Sequence, residues 1–392
     1  MGSEGQTRIV VCGHLCLDII PRFPPGEGQD YFRPGRLSIV DAAVTATGGA
    51  VSNVGQSLSK LGFPVRLVGK VGKDPFGDIV IQRITGASPD LGRDIMAVDG
   101  ETTSYSVVIN PPGVDRVFFH CPGANDTFSD VDVPDSVLQG ASLFHFGYPP
   151  IMKSIWSDGG TGLLRLLTRA RRAGAVTSLD MSLPDPASPS GKVDWPAFLG
   201  RVLPAVDLFV PSIEELLYMS HRELFDALSS DGGGGEAIIR KITLKQTELL
   251  ARAAISAGVS AVLIKMGDRG AYLRTGARGV SALPGWQNRE LYTPVFQVPH
   301  VGGTTGAGDA TIAGFLASVS RALGPEDALT MAVAVGACCV EKPDATSGVR
   351  PWEETRARVS SGWKRCYVSI SEPGWRVLGS GAWAGPSDLA PA

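Results

Sequence analysis

The stretch GGTTGAGD, residues 302–309, leads directly into the apolar run ATIAGFLASV. Within that run Ile312, Phe315 and Val319 recur at helical spacing, which predicts a helix that begins near Asp309. Glycines let backbone N–H groups approach a ligand closely, and the first turn of a helix adds unpaired donors and a positive partial charge. The stretch therefore predicts a site for an anion such as phosphate. Taken alone, however, such a turn is more often an aspartate N-cap on an ordinary helix.

Three earlier segments give this turn a context. The stretch GGAVSN, residues 48–53, precedes Leu58 and Leu61, again a glycine-led helix with one apolar face. A strand and a glycine-punctuated loop, VGKVGKDPFG, follow at residues 68–77. Ahead of both lies RIVVCG, residues 8–13, which is typical of a short buried strand.

With these motifs the chain resembles the ribokinase family, the PfkB-type carbohydrate kinases, from about residue 8 to about residue 355. The match consists of a Gly-Gly-x-x-x-Asn helix start, a Gly-x-Val-Gly-x-Asp-x-Phe-Gly loop and a Thr-Gly-Ala-Gly-Asp turn, in that order. The resemblance implies an α/β fold, a ribokinase-like three-layer αβα sandwich with a mostly parallel central sheet. It also implies a small β-sheet lid, for which the β-type patterns at about 21–47 and 101–120 are the candidates.

The remaining order of elements agrees with a parallel sheet. Strand-like runs such as 143–147, 176–180 and 261–265 alternate with helical patterns, and this order predicts a sheet covered by helices on both faces. Ligands of such sheets lie at the carboxyl ends of the strands. We expect the side chains that follow strands to meet there, namely Asp18, Asp180, Glu215 and Gly267. We expect one kinase domain over residues 1–378, and the Gly/Ala/Pro/Ser-rich residues 379–392 predict a loosely ordered tail.

The resemblance implies an ATP-dependent kinase that transfers the γ-phosphoryl group to a sugar hydroxyl. Asp309 would be the general base, and the backbone N–H groups of Gly306, Ala307 and Gly308 would form the anion hole. The expected sugar-binding residues are Asp18, Gly48, Gly49 and Asn53. The expected nucleotide-binding residues are Ser212, Lys265, Gly267, Thr305 and Gly308, with Glu215 near Mg²⁺.

Two expected nucleotide positions depart from the family pattern. Ser212 stands where an asparagine is usual, so it either contacts the nucleotide or serves only as a helix N-cap. Lys265 stands where threonine is frequent, and it either pairs with a phosphate or faces solvent.

A third departure concerns the monovalent cation that stiffens the anion hole in many relatives. Gly303 replaces the aspartate that usually binds this cation, so we expect weak or absent activation by K⁺. Asp344 stands where glycine is common, and the sequence leaves open whether its carboxylate compensates.

The sugar itself is not determined. Cys16 replaces an asparagine usual in ribokinases, which argues against ribose and leaves a fructose-like sugar, a ketodeoxygluconate-like sugar or a nucleoside. A nucleoside kinase of the same fold is the first alternative function. A catalytically silent relative that acts as a ligand-binding or regulatory protein is the second.

Composition limits the other classes of function. The chain has 392 residues, of which 43% are hydrophobic and 19% charged, with a net charge of -3, so neither nucleic acid nor an anionic membrane is expected as a partner. Six cysteines without framework spacing read as reduced thiols of a cytoplasmic protein. No apolar stretch is long enough to span a bilayer. The expected partners are a sugar or nucleoside, ATP and a second copy of the chain through the lid.

Overall fold

The computed structural model describes residues 8–24, 31, 34–35, 37–111, 117–229, 234–280 and 283–388. A large sheet of eleven strands runs through its centre in the order β14-β15-β13-β12-β11-β10-β9-β8-β1-β4-β5. Its strands are β1 (Arg8–Gly13), β4 (Val65–Gly72), β5 (Ile95–Val98), β8 (Ala141–Gly147), β9 (Val176–Leu179), β10 (Leu208–Phe209), β11 (Ala261–Lys265), β12 (Ala271–Thr275), β13 (Glu290–Thr293), β14 (Arg376–Val377) and β15 (Trp383–Ala384). In the spatial order of the sheet, the seven strands β11-β10-β9-β8-β1-β4-β5 are parallel to one another. The other four, β12 to β15, extend the sheet in antiparallel fashion.

Helices cover both faces of this sheet, as the alternating sequence pattern predicts. They are α1 (Gly49–Lys60), α2 (Pro75–Ala87), α3 (Asp135–Leu138), α4 (Lys153–Ser157), α5 (Thr161–Arg172), α6 (Trp195–Val202), α7 (Ile213–Ser220), α8 (Arg222–Ser229), α9 (Gly234–Lys241), α10 (Leu244–Ser256), α11 (Ala307–Ser320), α12 (Pro325–Cys339) and α13 (Trp352–Ser360). Two hydrophobic clusters result, one under α1, α2, α11 and α12 and one under α5, α6, α7 and α10. No helix in the described part of the chain has the length and apolar character that a bilayer crossing requires.

Helix α11 is apolar on all sides because it is enclosed on all sides. Every residue from Ala313 to Val319 is buried, and the helix packs against α1 and α12. A helix without a polar face is stable only in such an enclosed position. The packing fixes the start of α11, and with it Asp309, relative to α1.

A separate sheet of four strands, in the order β3-β2-β6-β7, stands beside the main one. Its strands are β2 (Cys16–Arg22), β3 (Asp41–Gly48), β6 (Tyr105–Ile109) and β7 (Val117–Cys121). This small sheet occupies the region that we expected to form the lid. The small sheet begins before residue 21, the expected start of the lid. Its strand β2 follows the turn at Gly13 and pairs with both β3 and β6. Residues 25–30, 32–33, 36 and 112–116 of the expected lid segments lie outside the described residues.

The C-terminal segment differs from the loosely ordered tail that we expected. Strand β15 pairs with β13, and the carboxylate of Asp388 is fully buried 2.7 Å from the guanidinium of Arg289. The paired edge strand and this buried ion pair hold the segment from 379 to 388 against the domain. Residues 389–392 lie outside the described residues.

Candidate active site

Asp309 is the third residue of α11, and both oxygens of its carboxylate are held by side chains from other elements. Asn53 Nδ2, in α1, donates to Asp309 Oδ2 at 3.0 Å, and the Tyr148 hydroxyl, after β8, donates to Oδ1 at 2.8 Å. Burial raises the pKa of Asp309, and the hydrogen bonds from Asn53 and Tyr148 partly offset that rise by stabilising the ionised form. The carboxylate is therefore fixed in position and more basic than an exposed one.

The backbone just before Asp309 forms the opening turn that the sequence predicted. Gly306 is the N-cap of α11 with φ of 74°, a left-handed conformation that favours glycine. A Cβ at this position would lie 2.4 Å from the Cβ of Ala345, so the turn also packs against the neighbouring loop. The N–H of Ala307 makes a long bond of 3.3 Å to the Thr304 carbonyl. The first-turn amides point out of the helix, where an anion can accept from them.

These groups border a cavity of about 950 Å³ at the carboxyl edge of the main sheet. Among the expected nucleotide-site residues, Ser212, Glu215, Lys265, Gly267 and Gly308 line it. Thr305 does not belong to this set: the neighbouring Thr304 lines the cavity, and the Thr305 carbonyl lies 3.8 Å from Cys339 Sγ. Phe296, Val333 and Val340 add apolar side chains to the lining. A cavity lined by both charged and apolar groups suits a molecule with a phosphate tail and a flat ring.

Lys265, at the end of β11, adjoins the anion site and does not face solvent. Its side chain is only 12% exposed, and Nζ lies 2.7 Å from Asp180 Oδ1. Burial alone would lower the pKa of Lys265, but the charges of Asp180 and Glu215 raise it overall, so the ammonium stays charged. Nζ is 4.0 Å from the place that a Cβ on Gly308 would occupy. Of the two alternatives that the sequence left open, this position excludes the solvent-facing one, because the ammonium is buried and paired with Asp180.

Ser212 and Glu215 form a reciprocal cap at the start of α7. Ser212 Oγ accepts the Glu215 N–H at 3.3 Å, and Glu215 Oε2 accepts the Ser212 N–H at 2.7 Å. The N-cap alternative for Ser212 is therefore present in the structure. The preceding Glu214 also lines the cavity, and its Oε2 is buried without a hydrogen-bond partner among the described residues. Burial, and then the charge of Glu215, raises the pKa of Glu214 to about 7.

The expected sugar-binding residues lie on the other side of Asp309, where the small sheet meets α1. Asp18 is in β2, and a Cβ on Gly48 would come within 2.4 Å of its Oδ2, so glycine makes room for this carboxylate. Burial raises the pKa of Asp18 to about 6, the Cys16 thiol that donates to Oδ1 at 3.6 Å lowers it, and the charge of Asp309 raises it again. The structure therefore brings together Asp18, Gly48, Gly49, Asn53 and Asp309 around one end of α1.

Sequence reasoning missed the roles of two residues in this region, Tyr148 and His14. Tyr148 has φ of 67°, which is uncommon for a residue with a side chain, and this backbone turn directs its hydroxyl to Asp309. His14 is buried beside Gly49. Both follow strands of the parallel sheet, and that position was the one available signal.

The loop opposite Gly303 is closed against it. A Cβ at Gly303 would lie 2.9 Å from the Pro343 carbonyl oxygen, so the position has no room for a longer side chain without a shift. The carboxylate of Asp344 accepts the N–H groups of Thr346 at 3.0 Å and Ser347 at 2.7 Å, within its own loop. Lys60 Nζ donates to the Thr346 carbonyl at 2.7 Å. The Asp344 carboxylate is therefore engaged within its own loop.

The sequence matches a known family model and several characterised proteins. A model described as pfkB family carbohydrate kinase matches residues 6–352. A 2-dehydro-3-deoxygluconokinase from Bacillus subtilis (strain 168) is 26% identical over 337 residues, which cover 83% of this chain and 90% of that protein. Fructokinase-1 from Zea mays is 24% identical over 362 residues, covering 91% and 98% of the two chains.

Solved structures resemble the fold over most of its length. A fructokinase with bound ATP from Xylella fastidiosa aligns with a TM-score of 0.68 at 19% identity, covering 90% of this chain and 98% of that one. A ribokinase from Arabidopsis thaliana in complex with ribose and ATP aligns with a TM-score of 0.67, also at 19% identity and with the same coverage. These likenesses confirm the three-layer α/β fold with a smaller second sheet that the sequence implied.

Proposed function

Since the chain belongs to the pfkB family of carbohydrate kinases, we propose that it uses ATP to phosphorylate a sugar hydroxyl with Asp309 as the general base. The family prediction is confirmed, and with it the class of enzyme, a phosphotransferase that acts on a sugar hydroxyl. The choice of ATP and the roles of individual residues are the proposal. The observation that carries the proposal is the position of the Asp309 carboxylate. Asn53 and Tyr148 hold it between the cavity and the expected sugar-binding residues around Asp18.

In this proposal each side of Asp309 has its own task. The sugar would bind Asp18, Asn53 and the backbone at Gly48 and Gly49, because carboxylates and amides match vicinal hydroxyls as acceptors and donors. Asp309 would then take the proton from the attacking hydroxyl as that oxygen bonds to the γ-phosphorus and the bond to ADP breaks. The first-turn amides at 306–308 would stabilise the charge that develops on the phosphoryl oxygens.

The nucleotide would lie in the cavity on the opposite side. Lys265 is placed to pair with a phosphate, since its ammonium is charged and adjoins Gly308. Ser212, Gly267 and Thr305 remain proposed nucleotide contacts, with Thr304 the better placed of the two threonines. ADP release, measured with a panel of sugars and nucleosides, tests this function. Sugar-dependent release supports it, and release with nucleosides alone would contradict it.

The residues near the phosphate side fit Mg²⁺ as a partner of the nucleotide. Mg²⁺ usually reaches a protein through one or two carboxylates and binds substrate phosphates at the same time. Glu215, with Glu214 beside it, would supply such carboxylates, and a cation would satisfy the buried Oε2 of Glu214. Bound Mg²⁺ would neutralise phosphate charge during transfer.

We expect replacement of Tyr148 by phenylalanine to shift the pH dependence of the reaction. The lost hydrogen bond stabilises ionised Asp309, so its removal raises the pKa of Asp309 and moves the acid limb of kcat/KM to higher pH. We also expect kcat to fall on the order of tenfold. Tyr272→Phe is the matched control, because its buried hydroxyl donates at 2.8 Å to Glu290, which lies outside this site. An unmoved acid limb in Tyr148→Phe, or an equal shift in the control, would contradict this role.

We expect no activation by K⁺, because Gly303 has no carboxylate and the Asp344 carboxylate is bonded within its own loop. Initial rates in Na⁺, K⁺ and tetramethylammonium chloride at equal ionic strength measure this. The three rates should agree within about twofold, a small change on the free-energy scale. A several-fold increase in K⁺ would refute the expectation.

We also expect a dimer through the small sheet. Its edge strand β7 exposes 56% of Phe118 and 61% of Phe119, one on each face of the strand, and a second copy packed along this edge would cover both. Light scattering after size exclusion should give twice the chain mass for the wild type and the single-chain mass for the Phe118→Ser, Phe119→Ser double variant. Tyr367→Ser, at a residue that is 90% exposed elsewhere, should leave the dimer intact. A monomeric wild type would exclude this contact.

A further inference from the structure

His14 lies between β1 and β2, where the main sheet passes into the small sheet. Its side chain is 2% exposed, and neither ring nitrogen has a hydrogen-bond partner among the described residues. Buried polar atoms are nearly always paired, because leaving them unpaired is destabilising. A buried ring with two such nitrogens is suited to a ligand that both donates and accepts a hydrogen bond.

The surroundings of this ring place it in the proposed sugar site. A Cβ on Gly49 would lie 2.6 Å from His14 Nδ1, so the ring packs directly on the start of α1. Its centroid is 5.2 Å from the ring of His120 in the small sheet and 6.1 Å from the ring of Tyr148, which bonds to Asp309. The His14 ring therefore lies between the small sheet and the proposed base.

A second unpaired atom lies on the same face of α1. Asn53 is four residues after Gly49, so the two positions face the same side of the helix. Asn53 Nδ2 bonds to Asp309, whereas its Oδ1 is buried without a partner among the described residues. The imidazole and the amide oxygen together offer the donors and acceptors that neighbouring hydroxyls need.

The two carboxylates at this site, Asp18 and Asp309, disfavour an anionic ligand. Burial, and then the adjacent His120, keeps the pKa of His14 well below its ordinary value, so the ring is neutral and carries one donor and one acceptor. Asp309 and Asp18 are like charges close together: burial is the main reason for the raised pKa of Asp18, and the charge of Asp309 raises it further. A carboxylate or phosphate on the sugar would add a third negative charge next to this pair.

We propose that His14 binds a hydroxyl of the acceptor and that this site selects an uncharged sugar over a sugar acid. The inference rests on the proposed function for the location of the site, and it names the substrate class that the function leaves open. His14 is a specificity-determining residue in this scheme, and it takes no part in the proton transfer to Asp309.

Binding, measured by titration calorimetry with an unreactive ATP analogue and Mg²⁺, tests the proposal without requiring turnover. The probes are D-fructose, D-glucose, D-ribose and 2-dehydro-3-deoxygluconate. We expect at least one neutral sugar to bind the wild type tenfold or more tightly than the acid. His14→Phe should weaken that sugar by about ten- to a hundredfold while the affinity for the ATP analogue stays the same. His14→Asn, which keeps a donor and an acceptor, should recover part of the loss. His221→Phe, at an exposed histidine, is the control.

Analogues of the bound sugar that each lack one hydroxyl separate a direct contact from a structural effect. One analogue should bind the wild type more weakly than the parent sugar does, because the missing hydroxyl is the one that His14 contacts. The same analogue should bind the wild type and His14→Phe with equal affinity. Unchanged sugar affinity in His14→Phe, tighter binding of the acid, or no binding of any neutral sugar would each overturn the proposal. Sugar binding with these effects but without ADP release would support it and contradict the kinase function alone.

Discussion

Asp309→Asn should lose at least a hundredfold in kcat while it still binds ATP and melts close to the wild-type temperature. The amide has the same shape but does not accept the proton of the attacking hydroxyl, and general base catalysis typically contributes about a hundred- to ten-thousandfold. The substitution costs one of the two hydrogen bonds that the carboxylate accepts, but it also removes a buried charge next to Asp18, and the two effects offset each other. Coupled ADP release, ATP titration and thermal melting measure the three quantities.

Asp327→Asn is the matched control for that substitution. Asp327 is the third residue of α12, as Asp309 is of α11, but it is exposed. It should keep full activity. If Asp309→Asn kept more than about a tenth of the wild-type rate, another group would have to be the base.

Gly306→Ala should reduce kcat on the order of a hundred- to a thousandfold. The new Cβ would lie 2.4 Å from the Cβ and 2.6 Å from the Cα of Ala345, so the turn or the neighbouring loop must move. Displacing one donor of such a hole typically costs about 3–4 kcal/mol in the barrier. The left-handed φ of 74° adds a backbone penalty of roughly 1–2 kcal/mol to the stability of the fold.

Gly140→Ala separates the two effects of that substitution. Gly140 has φ of 71°, but a Cβ there meets no atom within 4 Å. Both variants should melt at lower temperature because both strain the backbone, whereas only Gly306→Ala should lose turnover. Full activity in Gly306→Ala would show that the amides of this turn do not stabilise the transition state.

Much of the main sheet and the start of α11 could be read from the sequence, because buried parallel strands and the glycine turn have strong local patterns. The resemblance also implied that Asn53 and Asp309 share a site, and the structure joins them by a hydrogen bond. The contact of Tyr148 could not be read in this way. It depends on a positive φ that the residue type does not favour, and tertiary packing alone imposes such a conformation.

The unpaired state of the His14 ring among the described residues could not be read from the sequence either. Whether a buried histidine is paired depends on its three-dimensional neighbours, and the sequence shows only that it follows a strand. The sequence did not predict strands β14 and β15, for another reason. Each has two residues in or beside a Gly- and Ser-rich segment, a composition that is typical of loops. Pairing with the edge of β13 makes β15 a strand, and β14 pairs in turn with β15.

That last strand pairing bears on where the protein can be shortened. The family match ends at residue 352, but Trp363 stacks on Phe296 beside the cavity, and Cys366 lines it. A chain cut at the family boundary would lose Trp363 and Cys366 from this side of the cavity and leave one edge of β13 unpaired and prone to aggregation. It would also remove Asp388 from the buried guanidinium of Arg289 and leave the longer ion pair of 3.6 Å with Glu326. A shortened version of this enzyme should therefore end after residue 388.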